Sequence, residues 1–156
     1  MYAVRPTHVP QRNAPSPTIR NLSQFRYRLR LFLCFSEKAA RAAGVTPLQH
    51  QLMLGVAGFT GRGWATISEL AEFLQERHNG VVALVNRASR AKLVRKKKVA
   101  DDHRLVRVEL TSIGWAILSK LSTLHRVELS RFRLDDGLAI IPPHRKRSGR
   151  SSQGLA

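Results

Sequence analysis

A single cysteine, Cys34, stands among 156 residues. That excludes an internal disulfide framework and any Cys-rich zinc centre, and it fits a reducing, intracellular compartment. Acidic residues are scarce as well, ten against 27 Lys and Arg, for a formal net charge of +17. Such a chain draws in negatively charged partners, nucleic acid or an anionic membrane surface, before any specific contact forms. No apolar run approaches the roughly eighteen residues a membrane-spanning helix needs, and the N-terminus shows no signal-peptide core. A cytoplasmic protein is expected. A Gly-rich phosphate loop, a nucleophile elbow and a carboxylate pair at catalytic spacing are all missing, so neither enzymatic activity nor a cofactor is expected. The six histidines, at positions 8, 50, 78, 103, 125 and 144, follow no ligand spacing, and no metal is expected.

What is present is patterned. Residues 77–107 hold ten basic and two acidic residues, so the positive charge is concentrated inside the periodic part of the chain and not in its ends. Residues 1–20, with prolines at 6, 10, 15 and 17, read as a mobile basic arm. Residues 135–156 lose periodicity and read as a disordered basic tail, leaving 21–134 as one domain. A helix is predicted from Leu22, with Phe25, Leu29, Phe32, Ala39 and Ala40 on one stripe and Gly44 as its stop. Its segment "LFLCF", 31–35, is apolar on every side, which points to cover from a second subunit. Cys34 then reads as a small buried residue, with a redox-sensing thiol as the competing view.

Thr46, Pro47 and Gln49 announce a second helix through an N-cap, a first-position proline and a capping box, with Leu48, Leu52 and Val56 as its stripe. Thr66 and Glu69 form a second capping box ahead of "ISELAEFL", which should end near Gln75. A fourth helix follows at once, capped by Asn79. On its wheel Val81, Leu84, Val85, Ala88 and Ala91 share one face, and Asn79, Ala83, Asn86, Arg87 and Arg90 the other. Two short helices so tightly joined read as a helix-turn-helix, with the polar face of the second suited to a major groove. Then "LVRKKKVADDHRLVRVELT", 93–111, gives two strands around a turn, a basic hairpin beside the reading helix. Asp101 or Asp102 at its tip is placed to steady Arg104. Thr111 caps a long last helix striped by Ile113, Ile117, Leu118, Leu121, Leu124 and Leu129.

The fold expected is mainly α with a small β-hairpin wing. Base contacts are assigned to His78, Asn79, Ala83, Asn86 and Arg87, and phosphate contacts to Arg95, Lys97, Lys98 and Arg104, with Arg77, Gly80, Arg90 and His103 completing the DNA-facing set. Basic residues on a hairpin, rather than along one helix face, speak against a membrane surface. His50 and Trp64 stand where a ligand cavity could border the second helix and the wing, though core packing is the commoner use of both.

The order of elements, with "TPLQHQLML", "ISELAEFL", "DDHR" and "VELT", resembles the MarR family of winged-helix regulators over residues 22–133. The resemblance implies a homodimer built from the first and last helices, binding a pseudo-palindromic operator in double-stranded DNA as a repressor. It also implies release by a small aromatic or amphipathic effector, and in some members oxidant sensing through an N-terminal cysteine. A sequence-indifferent nucleic-acid binder, nucleoid- or RNA-associated, is the rival function. Two positions depart from the family pattern: His103 replaces a wing arginine, and Lys92 replaces the glycine that ends the recognition helix. If that position is left-handed, Lys92 costs on the order of 1 kcal/mol.

Overall fold

The computed structural model describes residues 16–99 and 102–131, and for Val99 and residues 102–105 the backbone alone. The expected arm up to residue 15, the wing tip, the tail, and the side chains of His103 and Arg104 lie outside the described residues.

Helix α1 spans Pro17–Ala42, starting five residues before the predicted Leu22. Two local features carry it back. Ser16 Oγ accepts from the Ile19 N–H at 3.3 Å, and Pro17 sits in the first turn, where its missing N–H costs nothing. At the other end Gly44, at φ 81°, reverses the chain while the Val45 N–H reaches back to Ala40 O at 3.1 Å. Helix α2, Pro47–Leu54, has the predicted capping box, with both Thr46–Gln49 hydrogen bonds formed at 2.9 and 3.1 Å. It widens into a π turn at Gly55–Phe59, which the sequence does not announce. A Cβ on Gly55 would lie 2.7 Å from the Phe73 ring, so the glycine permits close packing there.

Strand β1, Trp64–Thr66, is a second unannounced element, because three residues are too few to show alternation. Helix α3, Ile67–Leu74, opens on the predicted Thr66–Glu69 box and ends at Gln75, whose φ of 53° is left-handed. Helix α4 spans His78–Arg90. The expectation that Asn79 caps it is corrected: Arg77 holds the cap position with extended backbone, and no side chain bonds the first turn. Strands β2, Val94–Val99, and β3, Asp102–Leu110, form the expected hairpin, and β1 pairs antiparallel on the far side of β3 to give the order β1-β3-β2. Helix α5 runs Ser112–Arg131. Among the described residues no helix is long and apolar enough to cross a membrane.

The join between α4, the wing and α5 is tight. Lys92 does adopt the left-handed backbone, at φ 59°. Around it the Leu93 N–H bonds Ala88 O at 2.9 Å, and the Thr111 hydroxyl donates to Lys92 O while accepting from the Gly114 N–H at 3.0 Å. A Cβ on Gly114 would sit 2.1 Å from Leu93 O, so only glycine lets α5 start this close to the strand.

One core draws Leu52, Met53, Val56, Leu70, Val81, Leu84, Val85, Ala88, Val94, Val108, Leu118 and Leu121 together. Leu48 and Ala91, expected in buried stripes, are exposed: Leu48 lies in the first turn of α2, and Ala91 is the cap residue just past the end of α4. The long helices contribute little to this core. Ala40 is the one buried residue of α1. Leu22, Leu29, Leu31 and Leu33 on α1, with Ile113, Leu124, Val127 and Leu129 on α5, remain exposed. Cys34 is exposed too, which corrects its reading as a buried residue: α1 packs on the rest of the chain through a narrow strip that does not include it.

Candidate nucleic-acid interface

Helix α4 buries Val81, Leu84, Val85 and Ala88 and thereby turns its other side outward. Arg77, His78, Asn79, Gly80, Ala83, Arg87 and Arg90 lie on or just before it. All seven are exposed. The first turn carries no acidic residue and no capping side chain, so its outward N–H groups and the positive end of the helix dipole suit an anion such as phosphate.

Asn86 differs from its neighbours. It is half-buried, and its Oδ1 accepts a hydrogen bond from Lys96 Nζ at 2.8 Å. The strand pleat explains how the two meet. Val94 is buried against the core, and side chains two residues apart share a face. Lys96 and Lys98 therefore leave β2 on the side of α4, whereas Arg95 and Lys97 leave on the opposite side. There Glu109, the cross-strand partner of Arg95, engages both at 3.0 Å. The Glu109 carboxyl is held below its ordinary value, chiefly by the hydrogen bond from Lys97 and further by Arg95, with partial burial opposing.

The four-residue basic run is thus two pairs on opposite sides of the sheet, Lys96 and Lys98 toward α4 and Arg95 and Lys97 toward Glu109. The sequence reading assigns Arg95 and Lys97 to phosphates and passes over Lys96. Alternation counted from Val94 is the signal that finds it.

The outer sheet face carries a second cationic group that the sequence reading does not foresee. The Arg107 and Arg62 guanidiniums lie 4.2 and 3.9 Å from the Trp64 ring centroid, in cation–π contact. Arg62 also meets Glu69 at 2.6 Å. Glu69 is shifted below its ordinary value, first by the Thr66 backbone N–H and also by Arg62 and the Thr66 hydroxyl, against the effect of desolvation. Trp64 accordingly belongs to the wing sheet, apart from the cleft in which His50 lies.

That cleft, about 330 Å³, is lined by Phe32, His50, Leu54, Ser122, His125, Arg126 and Leu129, from α1, α2 and α5. The His50 and His125 rings lie 4.9 Å apart. His125 Nδ1 is 2.6 Å from Leu121 O, which can only accept, so that nitrogen carries a proton; Nε2 is 2.8 Å from Ser36 Oγ. His50 is buried and its Nε2 has no hydrogen-bond partner. Burial, with His125 adding repulsion, lowers its pKa from 6.5 to about 4, so the ring is neutral at physiological pH. Among the described residues, no three or more His, Cys, Asp or Glu side chains converge as a metal site requires.

Residues 43–105 match the family model described as MarR family. No curated protein matches the chain. Among solved structures, the chain is similar to AbsC, a MarR family transcriptional regulator from Streptomyces coelicolor, at 20% identity and a TM-score of 0.64, covering 83% of this chain and 85% of that one. It is similar to wild-type apo MarR from E. coli at 18% identity and a TM-score of 0.63, covering 82% and 90%. It is also similar to a point mutant of S. aureus MepR bound to an oligodeoxyribonucleotide, at 18% identity and a TM-score of 0.60, covering 72% and 80%. The chain is therefore a winged-helix protein whose residues 43–105 match the MarR family model.

Proposed function

We propose that this chain is a homodimeric, sequence-specific regulator that binds a pseudo-palindromic site in double-stranded DNA and acts as a repressor. The observation that carries this reading is the exposed polar face of α4 lying beside Lys96 and Lys98 of the wing: a helix able to enter a major groove, flanked by cations that reach backbone phosphates. Arg87 and Arg90 suit guanine edges, and Asn79 an adenine edge, while Arg77 and Lys98 need only reach a phosphate. MepR, of the same fold, has been solved bound to an oligodeoxyribonucleotide, which supports the class of partner.

Dimerisation is supported by the unburied apolar side chains of α1 and α5, which a second copy would cover. A small aromatic or amphipathic effector is supported by the 330 Å³ cleft between these helices and α2, whose accessible surface is almost wholly apolar although His50, Ser122, His125 and Arg126 help to line it.

Selection of bound duplexes from random DNA at about 150 mM salt, where screening weakens nonspecific attraction, tests the reading. An inverted repeat with half-sites about one helical turn apart is expected. Tight binding with no recovered motif would replace the regulator with a sequence-indifferent nucleic-acid binder.

A further inference from the structure

Resting on the DNA-binding reading above, we infer that Asn86 is a positioning residue for the wing: it holds Lys96 against the recognition helix so that the ammonium meets a DNA phosphate, and it does not read a base. The geometry is specific. Lys96 Nζ donates to Asn86 Oδ1 at 2.8 Å. The ammonium also fixes which way the amide points, since the NH2 end would set donor against donor.

Two chemical consequences follow. Bidentate recognition of adenine needs both ends of an amide, the oxygen accepting from N6 and the nitrogen donating to N7. With one lone pair of its oxygen taken by Lys96, the Asn86 amide is held in the orientation the wing sets, so it could pair with adenine only where the base edge meets that fixed orientation and the remaining lone pair. Lys96, in turn, spends one of three N–H donors on Asn86 and keeps two for phosphate oxygens. A lysine stem is otherwise costly to immobilise, and the amide removes part of that cost before DNA arrives.

The alternative wing cations do not share this arrangement. Arg95 and Lys97 lie across the sheet, both engaged by Glu109, so their charge is partly neutralised within the protein. Lys96 has a neutral partner and delivers its full charge. The turn between α4 and β2, set by left-handed Lys92 and by the Leu93 N–H to Ala88 O bond, keeps helix and strand in the register that lets residues 86 and 96 meet.

The test is random-duplex selection together with affinity measured over a salt series, for wild type, Asn86→Ala, Lys96→Ala, Lys98→Ala and the double variants pairing Asn86→Ala with each lysine change. Asn86→Ala is expected to return the wild-type motif and to weaken binding to every sequence by roughly three- to tenfold, the worth of one ordinary hydrogen bond. Lys96→Ala is expected to weaken binding further and to lower the salt slope by about one ion per protomer. Adding Asn86→Ala to Lys96→Ala should change nothing more, whereas with Lys98→Ala the effects should multiply. A changed motif in Asn86→Ala, or multiplication with Lys96→Ala, overturns the inference and returns Asn86 to the base edges. Wild-type protein that binds no duplex overturns the DNA-binding reading itself, and this is seen before any variant is compared.

Discussion

The segment from α2 to β3 and the pair of long helices α1 and α5 carry similar helical stripes of apolar residues, yet they meet different fates. In the first, Leu52, Leu70, Val81, Val85 and Val108 are wholly buried among themselves. In the second, Leu22, Leu29, Ile113 and Leu129 keep between 41% and 59% of their surface exposed. Short helices joined by tight turns fold back on one another and on a sheet, so each stripe finds cover locally. Two long rods touching each other and α2 along one edge cannot do this, and their remaining apolar surface is available to another molecule. Similar patterns thus specify an interior in one region and an exposed apolar surface in the other.

Leu52→Ala probes the covered region and should produce the largest effect, a loss of roughly 2–5 kcal/mol of unfolding free energy in denaturant titration. A loss below about 1 kcal/mol would mean that Leu52 is not enclosed by this core in solution.

His50 sits where the two regions meet. With its folded pKa lowered to about 4 and an unfolded value of 6.5, the unfolded chain binds the proton more readily between those limits. Stability should therefore fall as pH drops from about 6.5 to about 4, by up to about 3 kcal/mol, and lose nothing more from this group below that. Comparison of wild type with His50→Leu across this window isolates the effect. Glu69 and Glu109, both shifted below 4.5, hold stability that is lost as pH falls from about 4.5 through their lowered folded values, and they do so in both proteins. A pH dependence identical in the two would show that His50 is hydrated in solution.

Leu29→Asp probes the uncovered region and should leave unfolding of the single chain nearly unchanged, within about 0.5 kcal/mol. Self-association should weaken by about tenfold or more, because a carboxylate would have to be desolvated on assembly. Sedimentation across a concentration series reads this directly. A wild-type chain that stays monomeric at micromolar concentration would assign the exposed stripes to some other partner.

Local chemistry makes much of this fold legible. Both capping boxes, the end of α3 and the hairpin follow from residues close together in the chain, which interact regardless of the rest of it. The π turn is hidden because "LMLGVAGF" keeps helical periodicity whether or not one residue is squeezed in. Asn79 resembles a cap because its type favours that role, but Arg77 holds the position on backbone conformation alone. The site is harder to read. Which residues face outward on α4 follows from a wheel, but the diversion of Asn86 to Lys96 depends on how helix and strand are angled. The meeting of His50 with His125 depends on where two helices far apart in sequence cross. Cys34 is exposed although its neighbours are apolar, because an apolar neighbourhood in sequence is not one in space.

The join at Lys92, Leu93, Thr111 and Gly114 has a mechanical consequence. Helix α5 begins where the wing ends, with no slack between them: glycine brings its first turn onto Leu93 O, and one threonine hydroxyl ties both elements. A rod so anchored transmits tilt instead of absorbing it. If two copies pair through α1 and α5, the angle at which those rods cross sets the distance between the two reading helices, as the hinge of a caliper sets the gap between its jaws.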